Sequence, residues 1–221
     1  MSADLFVTGT DTGVGKTVLS ALLASALSTG YWKPIQTGRM RGHAETDRET
    51  VMRWARLEPR DAPPEAYVFD PPVSPHLAAR AAGIVIDVGA IRRPDTDRPL
   101  VLEGAGGAMV PINDRELMLD LMSHLGAPVV VAARGSLGTI NHTLLTVEAI
   151  RSRGLPLLGV VMIGEGNRDN REAIEHYGQV PVLGWIPPLD PIGRDALVEV
   201  FERHFDRSRL AREPAHETRD A

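Results

Sequence analysis

Cysteine is absent from this 221-residue sequence, which excludes a disulfide framework, a thiol nucleophile and a cysteine-type zinc site. No apolar run approaches the ~20 residues that a membrane-spanning helix needs. The N-terminus lacks a charged segment followed by an apolar one, so we expect no secretory signal. The net charge of −5 argues against a general nucleic-acid binder, although a local basic patch is compatible with it. We therefore expect a cytoplasmic protein without a membrane or nucleic-acid partner.

Lysine is also scarce. Only Lys16 and Lys33 are lysines among the 24 basic residues. Because arginine serves everywhere else, these two positions are candidates for sites that need a compact ammonium on a flexible stem. For Lys33 the alternative is that a GC-rich codon bias favours arginine throughout and that this lysine remains by chance.

The stretch Phe6–Thr17, FVTGTDTGVGKT, has the pattern of a phosphate-binding loop between a strand and a helix. Gly13 and Gly15 allow backbone conformations in which successive N–H groups point at an anion. Lys16 can reach the outer phosphates, and the Thr17 hydroxyl can ligate Mg²⁺. The first glycine of the strict pattern falls one residue early. The alternative interpretation is a structural glycine-rich turn.

Two acidic residues are candidates for the metal side of such a site. Leu100–Leu102 predicts a buried strand, and Glu103 follows at its carboxyl end before the glycines 104, 106 and 107. An acid in that place commonly meets Mg²⁺ or its water shell. Asp47 stands at the entrance of a predicted helix. Spacing alone leaves open whether it serves the helix, as its N-cap or as a first-turn acid, or faces the metal.

The remaining pattern alternates strands and helices, which predicts a doubly wound, mostly parallel sheet with helices on both faces. We expect one domain over residues 1–206 and a flexible tail over 207–221, where apolar residues are nearly missing. Predicted strands include Tyr31–Ile35, Pro128–Ala133, Leu157–Ile163 and Pro181–Ile186, and Pro34 confines the first of these to a strand end or its exit. Predicted helices include Lys16–Ser28, Arg115–His124, one starting at Ser74-Pro75-His76, and Ile192–Phe205. A loop through Gly164, Gly166 and Asn167 is expected after Ile163.

The segment Arg134–Ile150 predicts a turn and then a helix capped by Thr139 or Asn141. Free N–H groups at its start could bind a second anion. An ordinary capped helix fits the sequence equally well.

Taken in order, GTDTGVGKT, YWKPIQTG, SPH, VLEGAGG and GTINHTLLT resemble the dethiobiotin synthetase family of P-loop proteins, over about Leu5–Pro188. The resemblance implies closure of a ureido ring from 7,8-diaminononanoate, CO₂ and a nucleoside triphosphate with Mg²⁺. One amine takes up CO₂ as a carbamate, the γ-phosphate converts the carbamate into a mixed anhydride, and the second amine expels phosphate. It also implies a homodimer whose neighbouring subunit completes the substrate site.

The same resemblance assigns roles to residues. Thr17, Asp47 and Glu103 would hold Mg²⁺, and Lys16, Lys33 and Thr37 would be catalytic. The nucleotide would be bound by Asp11, Thr12, Gly13, Val14, Gly15, Lys16, Thr17, Val18, Ile163, Gly164 and Pro187. The substrate would be bound by Thr12, Lys33, Thr37, Gly106, Gly107, Gly138, Thr139, Ile140 and Asn141.

Three departures from the family pattern matter. The second-strand region is short, and Gly13 stands where relatives often have an acid. Ile163-Gly164 replaces an Asn-Asp pair whose asparagine reads the adenine edge. We therefore expect base contacts made mainly by backbone and shape, with ATP not strongly preferred over other triphosphates.

The rival function is a P-loop switch ATPase of the partitioning or metal-delivery kind. Such proteins usually carry an extra lysine early in the loop, where this chain has Asp11. An amidating synthetase would need a cysteine-dependent glutaminase, which the composition excludes. A nucleotide-binding module without catalysis is disfavoured because both acids and both lysines are present.

Overall fold

The computed structural model describes residues 3–39 and 45–210. The polar stretch between Gly38 and Asp47 therefore lies largely outside the described residues, as does the predicted tail from 211 onward. Eight strands and eight helices are described. The strands are β1 Leu5–Gly9, β2 Gly30–Trp32, β3 Ile35–Gln36, β4 Tyr67–Val68, β5 Leu100–Glu103, β6 Val129–Arg134, β7 Leu157–Ile163 and β8 Val182–Ile186. The helices are α1 Lys16–Leu27, α2 Asp47–Ala55, α3 Pro75–Ala81, α4 Met118–Leu125, α5 Thr139–Ser152, α6 Arg168–Gly178, α7 Arg194–His204 and α8 Arg207–Leu210.

Six strands form one parallel sheet in the order β2-β5-β1-β6-β7-β8. A core of apolar side chains covers each face, so the central strands are buried on both sides, as in doubly wound α/β proteins. The predicted fold class is confirmed. β1 lies in the middle with β5 on one side and β6 on the other, so the loops after these three strands meet at one edge.

The predicted strand Tyr31–Ile35 is two strands in different sheets. β2 pairs with β5, whereas β3 pairs in parallel only with β4. Pro34 lies between them and has no N–H for a ladder, and its carbonyl accepts the N–H groups of Ala66 and Tyr67. The chain therefore leaves the main sheet at this proline.

The starts of α4 and α5 differ from the prediction, whereas Asp47 lies in the first turn of α2, one of the alternatives expected for it. The Asn113 side chain accepts the N–H groups of Arg115 and Glu116, so a turn precedes α4 and the helix begins at Met118. The N-cap of α5 is Gly138, with φ 90°, and neither Thr139 nor Asn141 caps the helix. Thr46 caps α2 in a capping box, which makes Asp47 the first helical residue.

Helix α6 was not predicted. Asn167 caps it by accepting the N–H of Asn170, and Ile174 is its only buried apolar side chain. Its pattern is therefore too polar for a reading based on apolar periodicity. The segment predicted as a tail begins with α8, in which Leu210 is buried. Across residues 3–39 and 45–210, no helix has the length and apolarity to cross a membrane.

Candidate functional site

The phosphate loop joins β1 to α1. Gly13 has φ 71° and Gly15 has φ 101°, values that side chains disfavour. Gly15 is the N-cap of α1 and no side chain caps the helix, so N–H groups of its first turn remain available to an anion. A Cβ on Gly15 would lie 2.9 Å from Ile163 Cγ2, so the end of β7 packs directly against the loop.

Lys16 lies across this loop. Its Nζ donates to the Asp11 carbonyl at 2.9 Å, and the side chain is largely buried. Burial lowers the pKa of Lys16 to about 8, and the charge of Glu103 partly opposes this. The Asp11 carboxylate accepts the N–H of Thr12 at 2.7 Å and pairs with Arg134 at 3.0 Å. Both Asp11 oxygens therefore have partners within the protein.

Thr17, Lys33, Asp47 and Glu103 come together although they are far apart in sequence. The Thr17 hydroxyl donates to Asp47 Oδ1 at 2.8 Å and to Glu103 Oε1 at 3.2 Å. Lys33 Nζ lies 2.5 Å from Asp47 Oδ2 and 3.1 Å from Glu103 Oε1. The side chains of Lys33, Asp47 and Glu103 are 7%, 29% and 0% exposed. This is a buried charge cluster beside the phosphate loop.

The charge states in this cluster support one another. Burial alone would lower the pKa of Lys33, but Glu103 and Asp47 outweigh it and raise the pKa. Burial alone would raise the pKa of Asp47, but the charge and hydrogen bond of Lys33 bring it below its ordinary value. The ammonium and the Asp47 carboxylate are therefore both ionised near neutral pH.

Three side chains that sequence reasoning missed hold the cluster in place. Ser20 Oγ and the Tyr31 hydroxyl donate to Glu103 Oε2 at 2.8 and 3.1 Å. Gln36 Oε1 accepts the N–H of Asp47 at 3.3 Å and so fixes the start of α2. The spacing of Ser20, three residues after Thr17 on α1, was the one available signal. Burial and then the Glu103 charge raise the pKa of Tyr31 well above its ordinary value, so its hydroxyl donates.

The oxygens of Thr17, Asp47 and Glu103 fit a hard divalent cation. An ammonium already lies between the two carboxylates, which shows that a positive charge is accommodated there. The described residues contain no group of three histidines or acids able to hold a metal. A cation here would therefore keep waters or phosphate oxygens as further ligands, which is the behaviour of Mg²⁺.

The glycine-rich segment after β5 lies against the phosphate loop. Gly106 has φ 72°, and a Cβ on Gly107 would lie 3.3 Å from the carbonyl oxygen of Gly9. A side chain at position 107 would therefore press on the start of the loop. Thr37 follows β3 directly and is half-buried, and Gly38 N–H bonds to the Pro71 carbonyl.

The start of α5 follows β6 at the same edge of the sheet. Thr139 is buried, whereas Asn141 is exposed and Leu137 before the helix is 100% exposed. The N–H of Thr139 bonds to the Ser136 carbonyl. The substrate-binding residues predicted here thus surround a helix start that faces solvent in the single chain.

The predicted base-binding residues follow β7 and β8. The Gly164 N–H donates to the Ile186 carbonyl at 2.9 Å, and the Gly164 carbonyl accepts a hydrogen bond from Trp185 Nε1 at 2.7 Å. The Ile163 carbonyl accepts the N–H of Gly135. Pro187 follows β8 and has no N–H. Backbone groups expected to read a base are thus partly engaged within the protein.

Comparison with known proteins identifies the family. A model described as an AAA domain matches residues 3–196. The ATP-dependent dethiobiotin synthetase BioD of Brucella ovis is 49% identical over 205 residues, covering 93% of this chain and 95% of that protein. The chain belongs to the dethiobiotin synthetase family.

Two further relatives agree with this family assignment. The dethiobiotin synthetase BioD of Rhodopseudomonas palustris is 46% identical over 215 residues, which cover 97% of this chain and 100% of that protein. The biotin biosynthesis bifunctional protein BioCD of Bordetella avium is 52% identical over 193 residues. This chain spans 41% of that longer protein.

Solved structures share the fold at low sequence identity. MinD from Pyrococcus horikoshii matches with a TM-score of 0.54 and 16% identity, covering 90% of this chain and 86% of that one. Cobyrinic acid a,c-diamide synthase from Mycobacterium smegmatis matches with a TM-score of 0.52 and 17% identity, covering 90% and 92%. This chain thus shares the fold of both proteins, and this likeness adds no support to the rival function.

Proposed function

We propose that this protein is an ATP-dependent ligase of biotin biosynthesis that closes the ureido ring of dethiobiotin. Its substrates are 7,8-diaminononanoate, CO₂ and a nucleoside triphosphate, and its other products are the nucleoside diphosphate and phosphate. The near full-length likeness to BioD proteins supports this reaction. The observation that carries it is the buried ammonium of Lys33 beside the phosphate loop.

Lys33 can serve the carbamate without leaving its present partners. An ammonium has three N–H donors, and Asp47 and Glu103 take two of them. The third can bind a carbamate oxygen. Thr37, which follows β3, would help to hold the same carbamate. In this role Lys33 orients the carbamate toward the γ-phosphate and holds the anion that would otherwise lose CO₂.

Lys16 has a different task in the same reaction. A carbamate oxygen attacks the γ-phosphorus, the bond to the diphosphate breaks, and charge builds on the transferred group. The Lys16 ammonium, together with the N–H groups of the phosphate loop, opposes that charge. The second amine then attacks the carbamate carbon and phosphate leaves, with Gly106 and Gly107 supporting the forming ring by their backbone. No covalent bond to the enzyme is needed.

Thr17, Asp47 and Glu103 would hold Mg²⁺, which when bound neutralises charge on the phosphates. The Glu103 carboxylate is fully buried and the Thr17 hydroxyl bridges it to Asp47. These residues therefore present oxygens in a fixed arrangement.

A homodimer completes the substrate site in this proposal. Leu145 is 62% exposed and lies one turn after Asn141 on α5, and Leu137 is fully exposed. Contact with a second chain would bury these leucines and bring the start of α5, Gly138–Asn141, to the partner's substrate carboxylate. The Thr139 N–H is engaged by the Ser136 carbonyl, so the N–H groups of Ile140 and Asn141 are the ones that would suit an anion.

The decisive experiment is product formation. The protein is incubated with 7,8-diaminononanoate, bicarbonate, Mg²⁺ and ATP, and mass spectrometry follows the ureido product while phosphate release is measured. We expect one phosphate for each dethiobiotin. Phosphate release that ignores the diamine would instead support the switch ATPase.

Lys33→Arg tests the role of the compact ammonium. The variant keeps the charge, but a planar guanidinium is too broad for a cluster closed by two carboxylates, so most activity should disappear. Near-normal turnover would contradict the role given to Lys33. Arg203→Lys, on the exposed outer face of α7, is the matched control and should behave as the wild type.

A further inference from the structure

The Glu103 carboxylate has an unusually complete set of hydrogen-bond donors for a residue that is expected to bind a metal. Its carboxylate is 0% exposed and accepts hydrogen bonds from four side chains. The two oxygens are used differently. Oε1 meets Thr17 and Lys33, which belong to the charge cluster, whereas Oε2 meets only the hydroxyls of Ser20 and Tyr31.

The sheet register brings Tyr31 to Glu103. Tyr31 pairs with Val101, and Glu103 lies two residues further along β5, so all three side chains point to the face covered by α1. The aromatic ring is fully buried in the core on that face. A phenylalanine would fill the same space, so packing does not account for the hydroxyl. A buried hydroxyl is costly unless it is hydrogen-bonded, and Glu103 is the partner that it has.

Two donors on one oxygen restrict how the carboxylate can turn. Ser20 approaches Oε2 from α1 and Tyr31 approaches it from β2, so rotation about the last side-chain bond would break two hydrogen bonds. Oε1 is thereby kept facing Thr17 and Lys33.

We propose that Tyr31 is a positioning residue which, with Ser20, fixes the rotation of the Glu103 carboxylate so that only Oε1 is offered to the divalent cation. The assignment rests on the proposed function only for the task of Glu103. Tyr31 itself touches neither nucleotide nor substrate in this scheme. Its loss should therefore weaken the use of Mg²⁺ and leave the phosphate loop unchanged.

Calorimetric titration of ADP into full-length Tyr31→Phe, once in EDTA and once at a series of Mg²⁺ concentrations, separates these effects. In EDTA, ADP affinity should equal that of the wild type. The Mg²⁺ concentration that gives half of the Mg²⁺-dependent gain in affinity should rise about tenfold, the lower end for loss of an outer hydrogen-bond partner, since Ser20 remains. In turnover, the Mg²⁺ requirement should rise in the same proportion.

Tyr67→Phe is the matched control, because it removes a hydroxyl that accepts the N–H of Asp87 away from the cluster. It should titrate as the wild type. An unchanged Mg²⁺ requirement in Tyr31→Phe would overturn the proposal, and so would an equal loss of ADP affinity in EDTA. If Tyr31→Phe does not fold, Ser20→Ala tests the other donor to Oε2, with Ser25→Ala in the same helix as its control.

The binding readout is independent of the reaction. If the wild type forms no ureido product yet Tyr31→Phe still shifts the Mg²⁺ requirement, the proposed function fails and the positioning role stands. If the product forms and the shift is absent, only the positioning role fails.

Discussion

Replacing Lys33 by methionine removes the ammonium that lies between Asp47 and Glu103 while nearly preserving the length of the side chain. The ammonium makes two short contacts with carboxylates, at 2.5 and 3.1 Å. In the variant the two acids keep only the Thr17 hydroxyl between them. The variant therefore isolates the energetic role of the charge.

The magnitude follows from burial. Loss of one partner from a buried ion pair costs about 3–5 kcal/mol, because the remaining charge is left uncompensated. Glu103 is fully buried, but Asp47 is 29% exposed and can be partly hydrated. We therefore expect the lower end, about 3 kcal/mol of unfolding free energy. In a chain of this length that corresponds to a fall in Tm of about 6–12 °C.

Urea unfolding followed by circular dichroism at one protomer concentration, in EDTA and then in Mg²⁺, measures the effect. Mg²⁺ should restore most of the loss in Lys33→Met, because carboxylates without the ammonium bind the cation more tightly, and it should therefore stabilise the variant more than the wild type. Arg203→Met is the control, since Arg203 forms an exposed pair with Glu199 whose removal should cost under about 1 kcal/mol.

A loss in Lys33→Met no larger than in this control would refute the reasoning, because it would mean that the acids do not carry buried charge. A full loss that Mg²⁺ does not reduce would refute the second part, namely that the carboxylates are arranged to hold a divalent cation.

Asp47→Asn should flatten the acid limb of the pH–stability profile. Burial raises the pKa of Asp47, but Lys33 outweighs burial, so the pKa in the folded protein is below the ordinary value of 3.8. The stability that the Asp47 carboxylate contributes is therefore present above pH 3.8 and is lost as the pH falls through the folded-state pKa. Unfolding free energies of variant and wild type that change in parallel below that pH would contradict this. Leu145→Arg should convert the proposed homodimer into monomers in light scattering and lower kcat/KM for the diamine, whereas a persisting dimer would exclude this face of α5. At matched Mg²⁺, kcat/KM for ATP should exceed that for CTP, GTP or UTP by far less than the factor of about 10⁴ that hydrogen-bond recognition of a base can give. A factor near that value would show that this segment reads adenine.

Sequence alone predicted the parts of the site that are local. Lys16 and Thr17 belong to one continuous motif, and Glu103 ends an apolar strand, so each could be recognised from its neighbours. The contact of Tyr31 with Glu103 depends on the register of β2 on β5, which the sequence does not reveal. The role of Asp47 was open because its contact with Lys33 joins segments 14 residues apart, which the spacing of neighbouring residues does not reveal.

The fold was predictable to a similar depth. Strands β6 and β7 are continuous apolar runs, and their predicted bounds agree with the structure to within a residue. Helix α6 escaped because burial of Ile174 alone leaves no periodic pattern. The N-cap residue of α5 was predicted wrongly because Gly138, rather than the polar Thr139 or Asn141, takes the cap position.

The scarcity of lysine has a practical consequence for chemical labelling. Both lysine side chains of the chain are buried at the phosphate site, so amine acylation of the folded protein should reach few groups besides the α-amino group. Lys16, with a pKa of about 8, carries a substantial neutral and nucleophilic fraction at mildly alkaline pH. An amine-reactive nucleotide analogue should then label Lys16 selectively. Peptide mapping of the labelled protein would give the fraction of intact sites in a preparation.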